Sequence, residues 1–318
     1  MSQSIDSTVS EMTQPTPTII MQQTVYLNGE FLPMSEAQIS TQDRGFLFGD
    51  GVYEVIPVYQ RKLFAWPEHL QRLKNSLQAV SIANPLTDEE WCNLLNNLIE
   101  RHDWQDQFIY MQVTRGIQMV RDHMPADCLT PSIYAYTNPL KPLPNELVEN
   151  GIKLVSLEDI RWLRCDVKAI TLLPNVMMKL AAKQQNADDA VLITRDGFVS
   201  EGTASNLFIV KDGNLLTPPN SHKILPGVTR IVIEKVAAKH HIPMIEQELT
   251  LTDLQNADEI WLTSSTKEAL PVTQLDGNVV GTGKPGAIWQ LMREHYQAYK
   301  NAFIAEYNHS LAIKPNQP

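Results

Sequence analysis

No stretch of the chain strings together the ~18 apolar residues that a bilayer-crossing helix needs, which excludes such a helix as an organising element. Cysteine is scarce: Cys92, Cys128 and Cys165 form an odd, widely spaced set without CxxC or zinc-type spacing. That excludes a disulfide framework and fits reduced thiols in a cytosol, expected mostly as core residues. Positive charge is the minority sign, with 26 Lys and Arg against 36 Asp and Glu, a formal net charge of -10 and a sequence pI near 5.3. Without a basic stripe, nucleic acid and anionic membranes are poor partners, and an anionic ligand needs a site of its own. The run Thr18-Ile19-Ile20-Met21 is too short for a signal-peptide core, so residues 1–24, rich in Ser, Thr and Gln, are expected to form a flexible tail. The cytoplasm is the expected location.

Against these absences stand 43% hydrophobic and 19% charged residues, ordinary for a globular protein, and a length of 318 residues that exceeds one typical core. An α/β (α+β) chain of two domains is expected: a small N-terminal domain over 25–137, a linker over 138–147 marked by Pro139, Pro142 and Pro144, a larger C-terminal domain over 148–305, and a frayed end over 306–318. No internal repeat is visible. Asn28-Gly29 favours a type I′ hairpin, and 52–59 alternates as a strand in which Pro57 suits an edge or a bulge. Leu70, Leu73, Leu77 and Val80 recur at helical spacing with Arg72 on a neighbouring face, and Thr87 with Glu90 forms a capping box at the next helix. Strands are expected over 108–114, 132–136 and 152–155, and a helix follows Pro174. Runs at 191–193 and 207–210 read as a meander, followed by a helix over 229–240, a strand over 259–262, a helix-like stretch at 267–270, a hairpin at Asp276-Gly277 and a last helix over 285–305.

The chemistry gathers around the segment that runs from Glu158 through Asp159 and Arg161 to Lys168, which meets apolar Ala169-Ile170. Apolar company strips water from an ammonium and favours the neutral amine that a Schiff-base lysine needs. A single lysine at such a place is ordinarily a surface group. Three further features give it weight. Glu201, in Ser200-Glu201-Gly202, is an acid that can face a pyridine nitrogen. Gly227 lets backbone approach an anion, with the amides of Val228 and Thr229 opening a helix and the Thr229 hydroxyl adding a donor. Ser264 and Ser265 offer a second cradle, and Arg72 a full counter-charge. Amine, acid and phosphate donors are what pyridoxal 5′-phosphate demands, together with a substrate anchor. Tyr53, Arg121 and His123 can supply that anchor, since a phenol, a guanidinium and an imidazole can bind one carboxylate. Two other patterns are decoys. Gly281-Thr282-Gly283-Lys284-Pro285-Gly286 fits GxGxxG but leaves too little chain for a βαβ unit, and His240-His241 has no third metal ligand.

With these residues placed, the chain resembles the fold-type IV pyridoxal phosphate enzymes, and within them the D-amino acid aminotransferases. The likeness covers roughly residues 25–299 and rests on Asp43-Arg44-Gly45, Phe48-Gly49-Asp50-Gly51-Val52-Tyr53-Glu54-Val55, Glu68-His69-Leu70-Gln71-Arg72-Leu73, the segment 159–168, Ser200-Glu201-Gly202 through Asn206, and Leu225 through Arg230. It implies a cofactor cleft between the two domains, Lys168 as covalent anchor and base, Glu201 at the ring nitrogen, and Leu225 against the ring. It further implies Arg72, Val228, Thr229 and Ser265, with Ser264 beside it, as phosphate ligands, and Tyr53 and Val55 on the substrate side. Arg121 and His123 resemble a carboxylate trap donated across a homodimer interface. The implied reaction is a ping-pong exchange of the D-alanine plus 2-oxoglutarate type through pyridoxamine phosphate. L-branched-chain aminotransferases, aminodeoxychorismate lyases and (R)-amine transaminases share the lysine and cradle but not the trap, and a non-catalytic ligand-binding protein is the reading from another class. Pro174 before Asn175, Pro57 within the strand and the tail over 1–24 depart from the family pattern.

Overall fold

The computed structural model describes residues 23–312. The expected tail lies outside the described residues up to position 22, and the expected frayed end lies outside them beyond 312. Six strands form an antiparallel sheet: β1 (Thr24–Leu27), β2 (Glu30–Pro33), β3 (Gly51–Tyr59), β4 (Lys62–Leu63), β5 (Gln107–Thr114) and β6 (Ser132–Pro139), in the order β2-β1-β6-β5-β3-β4. Asn28 and Gly29 both take positive φ between Leu27 and its partner Glu30, as the tight hairpin requires. The helices Trp66–Ala79 and Asp88–Glu100 bury Leu73, Leu77, Trp91 and Leu95 against Val52, Ile56 and Ile109. The capping box is present, with the Thr87 amide donating to Glu90 Oε2 at 2.7 Å and the Glu90 amide to Thr87 Oγ1 at 3.3 Å. Pro57 does not interrupt its strand. It stays in register with Phe108, and its carbonyl accepts from the Phe64 amide on the outer side, where the N–H that proline lacks would also point.

The second sheet holds β7 (Ile152–Glu158), β8 (Asp189–Ile193), β9 (Val199–Gly202), β10 (Asn206–Lys211), β11 (Asn214–Thr217), β12 (Met244–Glu246), β13 (Glu259–Ser264), β14 (Glu268–Leu275) and β15 (Asn278–Val279). Its order is β12-β11-β10-β13-β14-β7-β8-β9, with β15 on β14. The expected meander is therefore two hairpins at opposite ends of the sheet. The Gly202 amide donates to the Ser205 carbonyl at 2.7 Å in the turn that links β9 to β10. The helix-like stretch at 267–270 is instead a turn residue, Lys267, followed by the start of β14, because Ser264 pairs with Glu268 and Thr263 with Ala269 in a hairpin with β13. A four-residue pattern cannot outweigh the ladder with β13. The helices Val228–Lys239 and Ala287–Ala312 cover one face with Val232, Ile233, Trp289 and Met292 over Phe208 and Trp261. Tyr59 and Phe64 from the first sheet enter that same core, where the Phe64 ring meets Tyr296 and Phe303 edge-on, so the two halves share packing.

The cysteines differ from the expectation. Only Cys165 is buried, while Cys92 is half-buried and Cys128 exposed, and all three are free thiols.

Candidate active site

A cavity of about 1100 Å³ opens between the two sheets. Ten of the twelve expected site residues line it: Tyr53, Val55, Arg72, Lys168, Glu201, Leu225, Val228, Thr229, Ser264 and Ser265. They converge because the loop after β7 crosses to the first sheet. The Tyr53 amide donates to the Lys168 carbonyl at 2.9 Å, the Ile170 amide to Gly51 at 3.1 Å, and Val52 bridges Ala169. Side chains alternate along β3, so Val52, Glu54 and Ile56 face the core while Tyr53 and Val55 face the cavity. Lys168 Nζ stands 4.1 Å from the centroid of the Tyr53 ring, which stacks on Tyr110.

Glu201 is buried, and all its partners are donors. Arg161 Nη1 reaches Oε1 at 2.5 Å, Asn206 Nδ2 reaches Oε2 at 2.9 Å, and the Leu225 amide lies 3.2 Å from both oxygens. Burial raises the pKa of the Glu201 carboxyl, and the Arg161 guanidinium works against it. Arg161 is itself gripped by Asp159, with Nε to Oδ1 at 3.0 Å and Nη2 to Oδ2 at 2.8 Å. Burial would lower its pKa, but the Asp159 and Glu201 carboxylates together raise it. Arg161 lies in the segment that runs from Glu158 to Lys168 and has no assigned role among the expected site residues. The signal was present, because a carboxylate meant for a buried ring nitrogen needs a cation to stay in place.

The other addition is Glu54. Its position on the core face of an alternating strand could have revealed it, since a carboxylate there requires a buried cation. Arg72 supplies that cation through a two-pronged contact, Nε to Oε1 at 2.8 Å and Nη2 to Oε2 at 2.7 Å, while His69 Nδ1 donates to Oε2 at 2.8 Å. Burial opposes ionisation of Glu54, but Arg72 and His69 hold its carboxyl at about 2. Burial lowers the pKa of His69. Arg72 thus reaches the cavity with its charge already matched, and its Nη1 donates to the Pro226 carbonyl at 3.1 Å, beside the expected phosphate cradle.

Gly227 caps the helix Val228–Lys239 with φ -71 and ψ 133, a conformation open to any residue. What demands glycine is space: a Cβ there would lie 1.8 Å from Asn206 Oδ1. The first amides of that helix lack intrahelical acceptors, as at any helix start. Ser264 and Ser265 form a hairpin turn rather than a second helix start. Pyridoxal 5′-phosphate fits this set of residues. Besides a buried acid and an amine, the cavity wall includes Ser205 Oγ and Thr263 Oγ1, both buried without a hydrogen-bond partner, which suits a ligand with polar atoms of its own. Cys165 also lines the wall, but burial pushes its thiol up to about 12, which leaves it inert as a nucleophile at neutral pH.

Arg121 and His123 are the two expected residues that this chain's cavity does not include. Both are exposed on the loop after β5. The Arg121 guanidinium lies 4.9 Å and the His123 ring 5.5 Å from the Phe48 ring, whose residue does line the cavity. Arg44, 4% exposed, fixes their backbone. It donates to the carbonyls of Asp122 at 2.7 Å and His123 at 2.9 Å, and through Nε to Asp50 Oδ2 at 2.8 Å. Residues 281–286 form a loop before the last helix, and among the described residues no group of three potential metal ligands occurs.

Comparison with known proteins agrees with this geometry. A family model, amino-transferase class IV, matches residues 51–275. The chain is 41% identical over 275 residues to a D-alanine aminotransferase of Staphylococcus aureus, covering 86% of this chain and 97% of that one. Among solved structures, a branched-chain amino acid aminotransferase of Escherichia coli aligns with TM-score 0.81 and 25% identity over 86% of this chain and 93% of its own. A hypothetical aminotransferase of Mycobacterium tuberculosis in its PLP-bound form aligns with TM-score 0.75 and 25% identity over 86% and 98%.

Proposed function

We propose that this chain, which belongs to the class IV aminotransferases, exchanges amino groups between D-amino acids and 2-oxo acids with pyridoxal 5′-phosphate as its cofactor. The observation that carries the reading is the meeting of Lys168, beside the Tyr53 ring, and the buried Glu201 carboxylate in one cavity. When bound, the cofactor supplies an electron sink for the charge left at a substrate carbon. The protein's residues do the rest. Lys168 Nζ would hold the cofactor, and the same amine is placed to take the Cα proton of a bound amino acid and to return a proton. Glu201, held by Arg161 and Asn206, would face the ring nitrogen and keep its proton in place. The amides of Val228 and Thr229, the hydroxyls of Ser264 and Ser265, and Arg72 would receive the phosphate, and Leu225 would pack on the ring.

The substrate carboxylate falls to Tyr53 with Arg121 and His123, the last two donated by the other subunit of a homodimer. Two features support that arrangement. Met119, Val120 and Met124 on the same loop, and Phe46 nearby in sequence to Arg44, are each more than 70% exposed, an apolar group that a partner would cover. Arg44 also fixes the loop's backbone rather than leaving it free. With the Cα–H turned toward Lys168, exchanging enantiomers swaps carboxylate and side chain, so a trap on one side selects the hand. No helix among the described residues is long and apolar enough to cross a membrane, and we place the enzyme in the cytoplasm.

An L-branched-chain aminotransferase is the second reading, favoured by the solved structures at TM-score 0.81, though at 25% identity against 41% for the D-alanine enzyme. A half-reaction without acceptor separates the two. D-alanine or D-glutamate should convert the protein-bound pyridoxal form to the pyridoxamine form, and L-leucine or L-glutamate should not. Conversion by the L-acids alone would keep Lys168 and Glu201 but move the chain to the branched-chain activity.

A further inference from the structure

Five basic side chains line the cavity: Arg72, Arg161, Lys168, Lys179 and Lys267. Three are matched inside the protein. Arg72 is bound by Glu54 at 2.7 Å, Arg161 by Asp159 at 2.8 Å and by Glu201, and Lys179 by Asp189 at 2.8 Å. Lys168 is the amine of the proposed reaction. Among the described residues, Lys267 is the remaining cavity cation, and no side-chain hydrogen bond or ion pair matches it.

Its place in the fold narrows what it can meet. Lys267 sits in the turn between β13 and β14, two residues beyond Ser265. The charges that act on it are Lys179, Asp189 and Asp188, which belong to the helix Leu173–Gln184 and the start of β8. That helix also contributes Leu173, Val176 and Leu180 to the same cavity wall. Although Lys267 is exposed through the open cavity, burial by the surrounding wall lowers its pKa, with Lys179 adding to the effect and the two aspartates opposing it. A partly dehydrated ammonium with no matched acid gains most from an anion brought in by a ligand.

We propose that Lys267 is a specificity residue that binds the side-chain carboxylate of acidic substrates, D-glutamate and 2-oxoglutarate among them. The inference rests on the transaminase reading of the same cavity. Cofactor phosphate is the other anion in reach of this turn, and the apolar Leu173, Val176 and Leu180 that the helix Leu173–Gln184 adds to the cavity wall suit a substrate side chain instead.

The test compares holoenzyme with Lys267→Gln and Lys267→Arg, measuring kcat/KM for D-glutamate with pyruvate and for D-alanine with 2-oxobutanoate, and the affinity for pyridoxal 5′-phosphate by absorbance. In Lys267→Gln the ratio of kcat/KM for D-glutamate over D-alanine should fall about 10- to 100-fold, the range of a charge-assisted hydrogen bond. Lys267→Arg should restore most of it. An unchanged ratio overturns the inference, and so does weakened cofactor binding with an unchanged ratio, which would give Lys267 to the phosphate. Wild-type enzyme inactive with both donors would overturn the transaminase reading and this inference together, whereas activity with D-alanine and an unmoved ratio overturns this inference alone.

Discussion

Replacing Gly227 with alanine probes the packing that holds Glu201. Its φ and ψ suit any residue, so the backbone contributes no strain, and the cost comes from the new Cβ, which would stand 1.8 Å from Asn206 Oδ1. Asn206 must then leave its place, where Nδ2 donates to Glu201 Oε2 at 2.9 Å and to the Leu225 carbonyl at 2.8 Å. A bond to a buried carboxylate contributes about 2 kcal/mol and a neutral one about 1 kcal/mol, so Gly227→Ala should destabilise the protein by about 3 kcal/mol. Glu201 would lose a donor, and cofactor affinity should fall with it. Urea unfolding and absorbance titration with pyridoxal 5′-phosphate read the two effects. The decisive control is the same change in an Asn206→Ala background. There the next contact of the new Cβ is Arg230 Cβ at 3.6 Å, an ordinary distance, so the added cost should drop below about 0.5 kcal/mol. Equal costs in both backgrounds, or a single mutant as stable as wild type, would refute the reasoning.

Glu54 sets a pH dependence. Its carboxyl is held at about 2 against an ordinary 4.5, so its contribution is complete above the ordinary value and lost as pH falls toward the depressed one. Unfolding midpoints should therefore drop steeply between those limits, and Glu54→Gln should flatten that drop while costing about 3–5 kcal/mol near neutrality by leaving Arg72 unmatched; an unaltered acid profile would contradict this. Arg44→Lys removes the two-carbonyl grip on Asp122 and His123, so the KM for D-alanine should rise about tenfold with kcat largely kept. A fall in kcat alone would show that Arg44 does not act through the loop. Arg121→Ala should raise the KM for D-alanine about 10- to 100-fold with the cofactor still bound. Loss of cofactor with substrate binding intact would place the carboxylate trap elsewhere.

What was legible in the sequence was local or chemically specialised. Asn28-Gly29, Asp276-Gly277 and the Thr87–Glu90 box specify their own geometry within four residues, and each forms as read. Lys168, Glu201 and the Gly227 helix start stood out because each residue type has a narrow chemical use, and they do share one cavity. The misread parts depend on partners distant in the chain. Residues 268–270 join a sheet because they pair with Leu262, Thr263 and Ser264 of β13 across a tight turn, something a short periodic run cannot encode. Gly227 was read as an approach point for an anion, but its absent Cβ also makes room for Asn206, 21 positions earlier by residue number.

The charge balance of the cavity then follows from those distant pairings. A chain of net charge -10 has to create an anion site against its own field. It does so by matching every acid in the wall: Asp50 with Arg44 and Arg115, Asp189 with Lys179, and Glu201 with Arg161. Glu54 and Asp159, behind the wall, occupy Arg72 and Arg161 and keep those guanidiniums fixed. The cations left without an acid are Lys168 and Lys267, both on the cavity surface. One cation suits a covalent anchor and the other an anionic tail, so the local surplus of positive charge lies where a phosphorylated cofactor and carboxylate substrates would enter. Were Lys267 merely a solvated surface lysine, that surplus would reduce to Lys168 alone, and acidic and neutral donors would be handled alike.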